Sequence, residues 1–312
     1  MLTRIQNIAH TLLEITQKST AKFDTEPTKW SWAKRIGSYD AVPDPYNSFF
    51  KPLIESGKTF PYTVQTPAFD RFMFKSTEKL VCDLDDDIVV LEKHGDTFET
   101  QRYPIERISY FEIRTILLDC QIKLYGVNSD GVNISTTLKF NSVTDYLFEP
   151  LLQKIRLART NINIDRDAEV AKFDHLMKTN FKFMNYARRS ILAGEKVIHF
   201  IFQPEITEKI FTFLGNTYYK TIHPTHMVTL TDHEFIMIHE EKERMGKGNY
   251  GGTWTYIQLN RIKKLSISAK NDDLLTLSIQ LSEAASLDVP FQVSAKEDIN
   301  QLLTSFDQLI KK

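Results

Sequence analysis

The sequence predicts an α+β protein, made mainly of β-strands, that consists of two tandem domains each ending on a helix. Three observations support this fold class. The chain has 312 residues, whereas single hydrophobic cores stop growing beyond roughly 250 to 300 residues. Two series of short runs rich in β-branched and aromatic residues follow one another, and an amphipathic helical pattern closes each series. We place the domains at 1–160 and 161–312 and expect residues 165–312 to fold without the first half.

An amphipathic helix is predicted before the first series of strands, over Met1–Gln17. Apolar residues recur there at helical spacing, which places them on one side of the helix: Leu2, Ile5, Ile8, Leu12 and Ile15. Between Asp24 and Pro52, prolines are mixed with aromatic residues. Because proline lacks the N–H that helices and central strands need, we expect an ordered but irregular covering segment.

The first series contains seven predicted strands, separated in several places by turn-forming residues as in an antiparallel meander. They cover Phe60–Gln65, Arg71–Phe74, Lys79–Leu84, Ile88–Lys93, Ile108–Ile113, Gln121–Tyr125 and Ile134–Phe140. This pattern favours a β-barrel or sandwich. Ser142 followed by Asp145 is typical of a capped helix start. The apolar residues of that helix are Tyr146, Leu147, Leu151, Leu152 and Ile155.

The second series begins after a polar break at Asn161, Asn163 and Asp165. An amphipathic helix is predicted first, and its apolar residues are Val170, Phe173, Met177, Phe181 and Met184. Predicted strands then cover Lys196–Phe202, Lys209–Leu214, Met227–Leu230, Phe235–Glu240, Thr253–Leu259, Lys264–Ser268, Leu274–Leu281 and Val289–Val293. Ser294, with Glu297 three residues later, opens a final helix.

The two series match residue by residue, which indicates an internal duplication. The run Ile105–Ile108, followed by Phe111 and Ile113, corresponds to Leu259–Ile262, followed by Leu265 and Ile267, and every apolar position is kept. Trp32–Arg35 also resembles Tyr186–Arg189, over four residues only.

About seven strands followed by one helix, present twice, resembles the pleckstrin-homology-like (PH-like) fold of bacterial PH and GRAM-related domains. The resemblance covers roughly residues 53–158 and 190–312 and rests on element order and the duplication. It implies two bent β-barrels, each closed at one corner by its C-terminal helix. Eukaryotic phosphoinositide-binding members carry a run of Lys and Arg across the first hairpin. The candidate hairpins here depart from that pattern, because their basic residues are only Arg71, Lys75 and Lys79, or Lys209 and Lys220.

Charge and cysteine usage exclude several classes of protein. The chain has 39 basic and 40 acidic residues and a net charge of -1, so no overall field attracts a polyanion, and we expect no nucleic acid partner. No apolar stretch has the roughly 20 residues needed to cross a bilayer, and no secretory signal pattern opens the sequence. Cys82 and Cys120 lie in apolar runs, as expected of reduced core thiols. We therefore expect a cytoplasmic protein.

Three short motifs suggest chemistry that their context does not support. Gly246–Gly251 reads GxGxxG, but the next residues alternate like a strand rather than a helix, so a hairpin tip is predicted. Asp83–Asp87 is interpreted as a charged turn. Five histidines fall close together in sequence without an H-E-x-x-H spacing, so solvated loop histidines are favoured over a metal site: His199, His223, His226, His233 and His239.

One segment is the strongest candidate site. Basic and aromatic residues are interleaved at Lys29, Trp30, Trp32, Lys34 and Arg35, a combination suited to a lipid interface or a single-stranded nucleic acid. We interpret the segment as a contact site for a lipid or a partner. The alternative is that both tryptophans pack on the first domain with basic side chains beside them.

The sequence favours a non-catalytic binding or scaffold protein that acts through tandem PH-like domains on a protein partner, because the β-domain is duplicated and no complete catalytic motif occurs. Binding to a membrane surface or lipid head group is the alternative, and an enzyme without a recognisable motif comes third. No cofactor is expected.

Overall fold

The structure, a computed structural model, describes residues 28–71, 74–156, 164–213, 216–241, 250–282 and 285–311. Strands dominate and helices flank them, so the predicted α+β class is confirmed. The helix predicted over Met1–Gln17 lies outside the described residues. No helix within the described part of the chain combines the length and apolar character that a membrane span requires.

The helices and strands follow one another in two similar series. The helices are α1 (Asn47–Glu55), α2 (Glu149–Arg156), α3 (Arg166–Ala171), α4 (Phe181–Ser190) and α5 (Lys296–Ile310). The strands of the first half are β1 (Lys34–Ile36), β2 (Thr63–Thr66), β3 (Phe69–Arg71), β4 (Phe74–Ser76), β5 (Lys79–Leu84), β6 (Asp87–His94), β7 (Thr97–Pro104), β8 (Ile108–Ile116), β9 (Asp119–Val127) and β10 (Asn133–Asn141). Those of the second half are β11 (Val197–Gln203), β12 (Ile206–Phe213), β13 (Asn216–His223), β14 (His226–Thr231), β15 (Glu234–Glu241), β16 (Gly251–Gln258), β17 (Lys264–Ala269), β18 (Leu274–Ser282) and β19 (Ala285–Gln292).

A five-stranded antiparallel sheet, in the order β1-β2-β5-β6-β7, opens the first half. Both of its faces are buried, which explains the continuous apolar runs of β5 and β6. Leu80 and Cys82 face a small outer core that includes Phe50 of α1. Val81 and Val90 face the main core on the other side. The segment between Asp24 and Pro52 was predicted to be an irregular covering segment. Its described part does cover the sheet, but it includes most of the regular helix α1, which contains Pro52.

A seven-stranded sheet joins the two halves. Its order is β10-β9-β8-β16-β15-β14-β11, so three strands come from the first half and four from the second. The seam is the antiparallel pair of β8 with β16, from Ile116 opposite Gly251 to Phe111 opposite Tyr256. A Cβ at Gly251 would lie 2.6 Å from the carbonyl oxygen of Thr115. The absence of a side chain at position 251 therefore allows the two strands to approach.

The hydrophobic cores, like the seven-stranded sheet, do not divide at the midpoint of the chain. One core combines Phe111 and Phe148 of the first half with Phe183 and Met227 of the second. A further core lies between the seven-stranded sheet, the three-stranded sheet β17-β18-β19 and α5, where Phe235 and Phe306 are buried. None of the sheets formed by the described strands closes on itself into a barrel.

Several details differ from the sequence predictions. Three strands were not predicted, β1, β7 and β13. The single helix expected around Phe173 is split into α3, a 3-10 turn over Asp174–Met177 and α4, because Asn180 caps a new helix by accepting from the Phe183 N–H. Ser142 and Ser294 are not capping residues. Asn141 accepts from the Val143 N–H instead, and Ala295 precedes α5 without a side-chain cap.

A similar element order recurs in both halves. In each half a long strand, a one-turn 3-10 helix and another strand follow one another, with the turn at Ile105–Arg107 and at Leu259–Arg261. Each half then closes with two further strands and a helix. The short likeness between Trp32–Arg35 and Tyr186–Arg189 has no structural counterpart, because Lys34 lies on a strand and Ala187 on a helix.

Candidate functional site

A hairpin formed by β12 and β13 stands out from the second half. We call it the arm, comprising residues 206–213 and 216–223. It forms a two-stranded sheet of its own between β11 and β14. Its register runs from Ile206 opposite His223 to Phe213 opposite Asn216, with irregularities after Ile206 and Lys209. The first half has a hairpin at the corresponding place, between β2 and β5, but its strands β3 and β4 are only three residues long each.

The arm exposes an unusual amount of apolar surface. Its large exposed side chains, with their exposed fractions, are Ile210 58%, Phe211 51%, Tyr218 46%, Tyr219 62% and Ile222 40%. Successive residues of a strand point to opposite faces. Because Tyr218 and Tyr219 are both exposed, neither face of the arm is covered by the described part of the chain. Phe211 stacks on Tyr218 with ring centroids 4.7 Å apart.

An isolated two-stranded hairpin is marginally stable in water at best, and contiguous exposed apolar surface marks interaction sites on soluble proteins. The arm combines both features. Its charged residues add no dominant sign, because Glu208 stands directly opposite Lys220 and Lys209 is the remaining lysine. The geometry therefore suits burial between two surfaces.

The root of the arm is buried and uncharged. Ile206 is buried, and so is His226, whose Nδ1 donates to the Pro224 carbonyl oxygen at 2.9 Å. The His226 ring packs against Phe291 at 5.1 Å. Burial lowers the pKa of His226 to about 4 and also lowers the pKa of His223, which favours the neutral ring at both positions. Buried contacts therefore hold the residues at which the arm joins the rest of the second half.

The structure spreads the predicted Trp and basic segment over a turn and β1. Trp30 is 44% exposed and meets Phe69 edge-on at 5.7 Å. Trp32 is half-buried, and its indole N–H donates to Thr28 Oγ1 at 3.1 Å. Lys29 and Lys34 are exposed.

Arg35 is exposed as well, but its guanidinium lies 3.8 Å from the Tyr62 ring centroid and donates to the Thr63 carbonyl oxygen at 2.7 Å. The segment therefore presents Trp30 beside two lysines, while Trp32 and Arg35 help to hold β1. Its role as a contact site stays a prediction.

A cavity of about 680 Å³ lies near the short hairpin of the first half. Lys79 lines it, as does Lys139. The Lys79 ammonium lies 3.0 Å from Glu92 Oε1 and donates to Thr77 Oγ1 at 2.7 Å. Since a carboxylate already neutralises this buried cation, Lys79 contributes little attraction for a phosphate group.

A buried ionic cluster connects the two halves. Arg156, at the end of α2, donates to Glu234 at 2.7 Å and lies 3.6 Å from Glu195. Its guanidinium also lies 4.3 Å from the Tyr256 ring centroid. Glu195 accepts from Thr231 Oγ1 at 2.6 Å. Burial raises the pKa of Glu234 to about 7; Glu195 acts in the same direction and Arg156 opposes it. The protein's own groups satisfy the cluster, as in a structural contact between the halves.

The remaining sequence motifs lie at ordinary structural positions. The predicted glycine-rich tip joins β15 to β16, and its residues 242–249 lie outside the described residues. The acidic run is the turn between β5 and β6, where Asp85 adopts a φ of 54°. Cys82 and Cys120 are buried free thiols, as predicted, and burial raises the pKa of each to about 12. Within the described ranges, the histidines form no metal-binding cluster with other ligating residues.

Sequence reasoning missed the arm as a site. Its apolar residues read as a core strand, because composition does not reveal whether another layer covers a strand. A usable signal was the length of the insertion between β11 and β14 compared with its counterpart in the first half.

No protein-family profile matches the chain, and no curated protein matches it.

Proposed function

We propose that this protein is a non-catalytic binding protein that docks on a protein partner through the arm. The observation that carries the proposal is the set of five large apolar side chains exposed on both faces of β12 and β13. Tyr and Phe at the centre of a contact patch supply much of the binding energy in protein interfaces. Phe211, Tyr218 and Tyr219 meet that description.

The chemistry of the arm favours a protein over a lipid surface. A bilayer attracts segments with clustered Lys and Arg, whereas Glu208 balances Lys220 across the arm. A flat surface also covers one face of a ribbon, and here Tyr218 and Tyr219 expose opposite faces. A partner groove that encloses the ribbon buries both.

The scaffold for this arm, in our proposal, is a pair of PH-like units. The repeated order of strands, one-turn 3-10 helix, further strands and closing helix supports that assignment. Binding surfaces are commonly built on connecting segments carried by a rigid scaffold, and the arm is such an elaboration of one connection.

The decisive experiment compares protein partners captured by the parent and by a double variant, Phe211→Ser with Tyr219→Ser. The matched control is Val132→Ser, which removes a similarly exposed apolar side chain from the turn between β9 and β10. Quantitative mass spectrometry should identify a partner retained by the parent and by the control. Purified, that partner should bind the double variant at least roughly 30-fold more weakly, the effect of losing one interface hot spot.

Two further measurements make the result decisive. Thermal melting of the double variant should match the parent, since the mutated side chains are exposed. Sedimentation of the purified chain tests whether the partner is a second copy, in which case the parent self-associates and the double variant does not. If no partner and no self-association depends on the arm, the proposal is wrong.

A membrane surface is the second candidate, favoured by the exposed Trp30 between Lys29 and Lys34. Flotation of the parent with anionic phosphatidylserine vesicles, lost in Trp30→Ser but kept in the arm variant, would support it. Trp32→Ala should instead destabilise the fold, because Trp32 is half-buried and hydrogen-bonded. Its cost should lie below the roughly 3 to 5 kcal/mol of a fully buried tryptophan.

A further inference from the structure

A cleft of about 310 Å³ lies above the seam between β8 and β16. Its floor is apolar and comes from both halves, with Ile113, Ile122 and Phe140 on one side of the seam and Trp254 on the other. Leu152 of α2 forms part of one wall. Cavities at the junction of two structural units are common binding sites, and no described residue fills this one.

The rim of the cleft carries charge, and exposed apolar side chains lie near it in the chain. Asp145 and Glu149 stand on the α2 side, and Arg189 stands on the α4 side. Within two residues of the lining residues in the chain, large apolar side chains are exposed: Leu117, Leu118, Val143 and Tyr146. The Ser142 side chain donates to the Leu117 carbonyl oxygen at 2.9 Å, which holds the two parts of this surface together. Exposed apolar side chains therefore lie close to the cleft.

The described chain begins beside this surface. Ser31 Oγ accepts from the Asn141 side chain at 3.2 Å, and the Ala33 N–H donates to Thr144 Oγ1 at 3.0 Å. Asn141 directly follows the lining residue Phe140, and Thr144 directly precedes Asp145. Thr28, where the described chain begins, is therefore only three residues from Ser31, which contacts the segment that lines the cleft.

We propose that residues 1–17 of the same chain dock in this cleft as an amphipathic helix. Their predicted apolar stripe offers Ile5, Ile8 and Leu12 at its centre. If each carbon of a side chain takes about the volume of one water molecule, about 30 Å³, a four-carbon side chain fills roughly 120 Å³. The cleft of about 310 Å³ therefore accepts two such side chains. The rest of the stripe covers the exposed apolar surface around Tyr146.

Length is compatible with this occupant. A 17-residue helix is about 25 Å long, and residues 18–27 can span up to roughly 33 Å. Residues 1–17 carry one basic and one acidic side chain, Arg4 and Glu14. Their charges balance, so the segment brings no net charge to a rim of two carboxylates and one guanidinium.

The test uses the full chain and the variant Ile8→Asp, which places a charge in the stripe. The matched control is Asn7→Asp, on the far side of the helix. The first readout is the initial rate of tryptic cleavage after Arg4. We expect that rate to rise at least roughly tenfold in Ile8→Asp, equal to about 1.4 kcal/mol of docking free energy, and to stay within roughly twofold of the parent in the control.

The second readout reports on the cleft itself. In a Trp30→Phe, Trp32→Phe background Trp254 is the remaining tryptophan, and Ile8→Asp should increase its quenching by acrylamide while Asn7→Asp should not. Protection that is unchanged on dilution supports docking within one chain. Protection lost on dilution assigns the cleft to a second copy and overturns the proposal, as does equal quenching in the parent and Ile8→Asp.

Discussion

Arg156 and Glu234 form a forked ion pair that connects the last turn of α2 to the first residue of β15. The Arg156 Nε and Nη2 atoms donate to Glu234 Oε2 at 2.9 and 2.7 Å. Both side chains are buried, and the pair couples the first half of the chain to the second. A buried pair of this kind is costly to break, because the surviving partner keeps a charge without water.

Replacing one member of this pair should therefore destabilise the protein strongly. We expect Arg156→Met to lower the free energy of unfolding by about 3 to 5 kcal/mol, measured by urea denaturation. Arg156→Met combined with Glu234→Leu should recover part of that loss, because it removes both charges of the pair. As a control, Lys58→Met breaks an exposed pair with Asp85 and should cost less than about 1 kcal/mol.

The same cluster should give the protein a pH-dependent stability. The folded-state pKa of Glu234, about 7, lies above its usual value of 4.5. The contribution of Glu234 to the free energy of unfolding is fully present below pH 4.5 and is lost as the pH rises through 7. Between these two pH values we expect the parent to lose up to about 1.4 kcal/mol of stability per pH unit from this group.

Urea unfolding between about pH 5 and 8 measures this slope directly. Glu234→Gln should lack the contribution, and Glu208→Gln, on the exposed arm, should follow the parent. Identical pH profiles for the parent and Glu234→Gln would contradict the prediction.

The seam between the halves should be intolerant of a methyl group. A Cβ at Gly251 would lie 2.5 Å from Ile116 Cγ1 and 2.6 Å from the Thr115 carbonyl oxygen. Gly251→Ala should therefore cost about 1 to 3 kcal/mol, the usual range for overpacking. Gly37→Ala is the control, because no atom lies within 4 Å of that Cβ; a thermal shift of the same size in both variants would exclude a steric effect at the seam.

Residues 164–312 alone should be much less stable than the expected domain division implies. Without β8, the β16 strand becomes an open edge and Trp254 loses neighbours from the first half. Without Arg156, Glu195 and Glu234 remain buried and close together. We expect the fragment to show no cooperative thermal transition at neutral pH.

A cleavable version of the full chain supplies the control for this prediction. A protease site placed within residues 157–163 separates the halves after folding. The two pieces should then co-elute in size-exclusion chromatography, since the shared sheet and core hold them. A stable isolated fragment would instead support two independent domains.

Much of the fold could be predicted from local pattern, because strand runs such as Ile88–Lys93 alternate with turn residues and bury both faces. The strand β7 was missed because its residues are largely polar and exposed at a sheet edge. The helix break before Phe181 was missed because apolar spacing continues across it, although the Asn180 cap restarts the helix there.

The candidate site was less predictable for a physical reason. Trp30 and Trp32 belong to the same sequence pattern, yet Trp30 is exposed and Trp32 is half-buried. Only the tertiary fold determines that Trp30 meets Phe69 and that Trp32 meets Thr28. The exposure of Tyr219 depends on the absence of a covering layer, and a single sequence records no such absence. The seam is a tertiary pairing across distant parts of the chain, and local periodicity carries no information about it.

The seam also has a consequence for synthesis of the protein on the ribosome. Gly251 follows its partner Ile116 by about 135 residues, and translation adds roughly 5 to 20 residues per second. For roughly 7 to 27 seconds, the first half therefore emerges with β8 unpaired and the apolar floor around Ile113 open. Unpaired strand edges of this kind recruit other strands, so crowded polysomes making this protein should depend on chaperones that shield nascent β-structure until β16 leaves the exit tunnel.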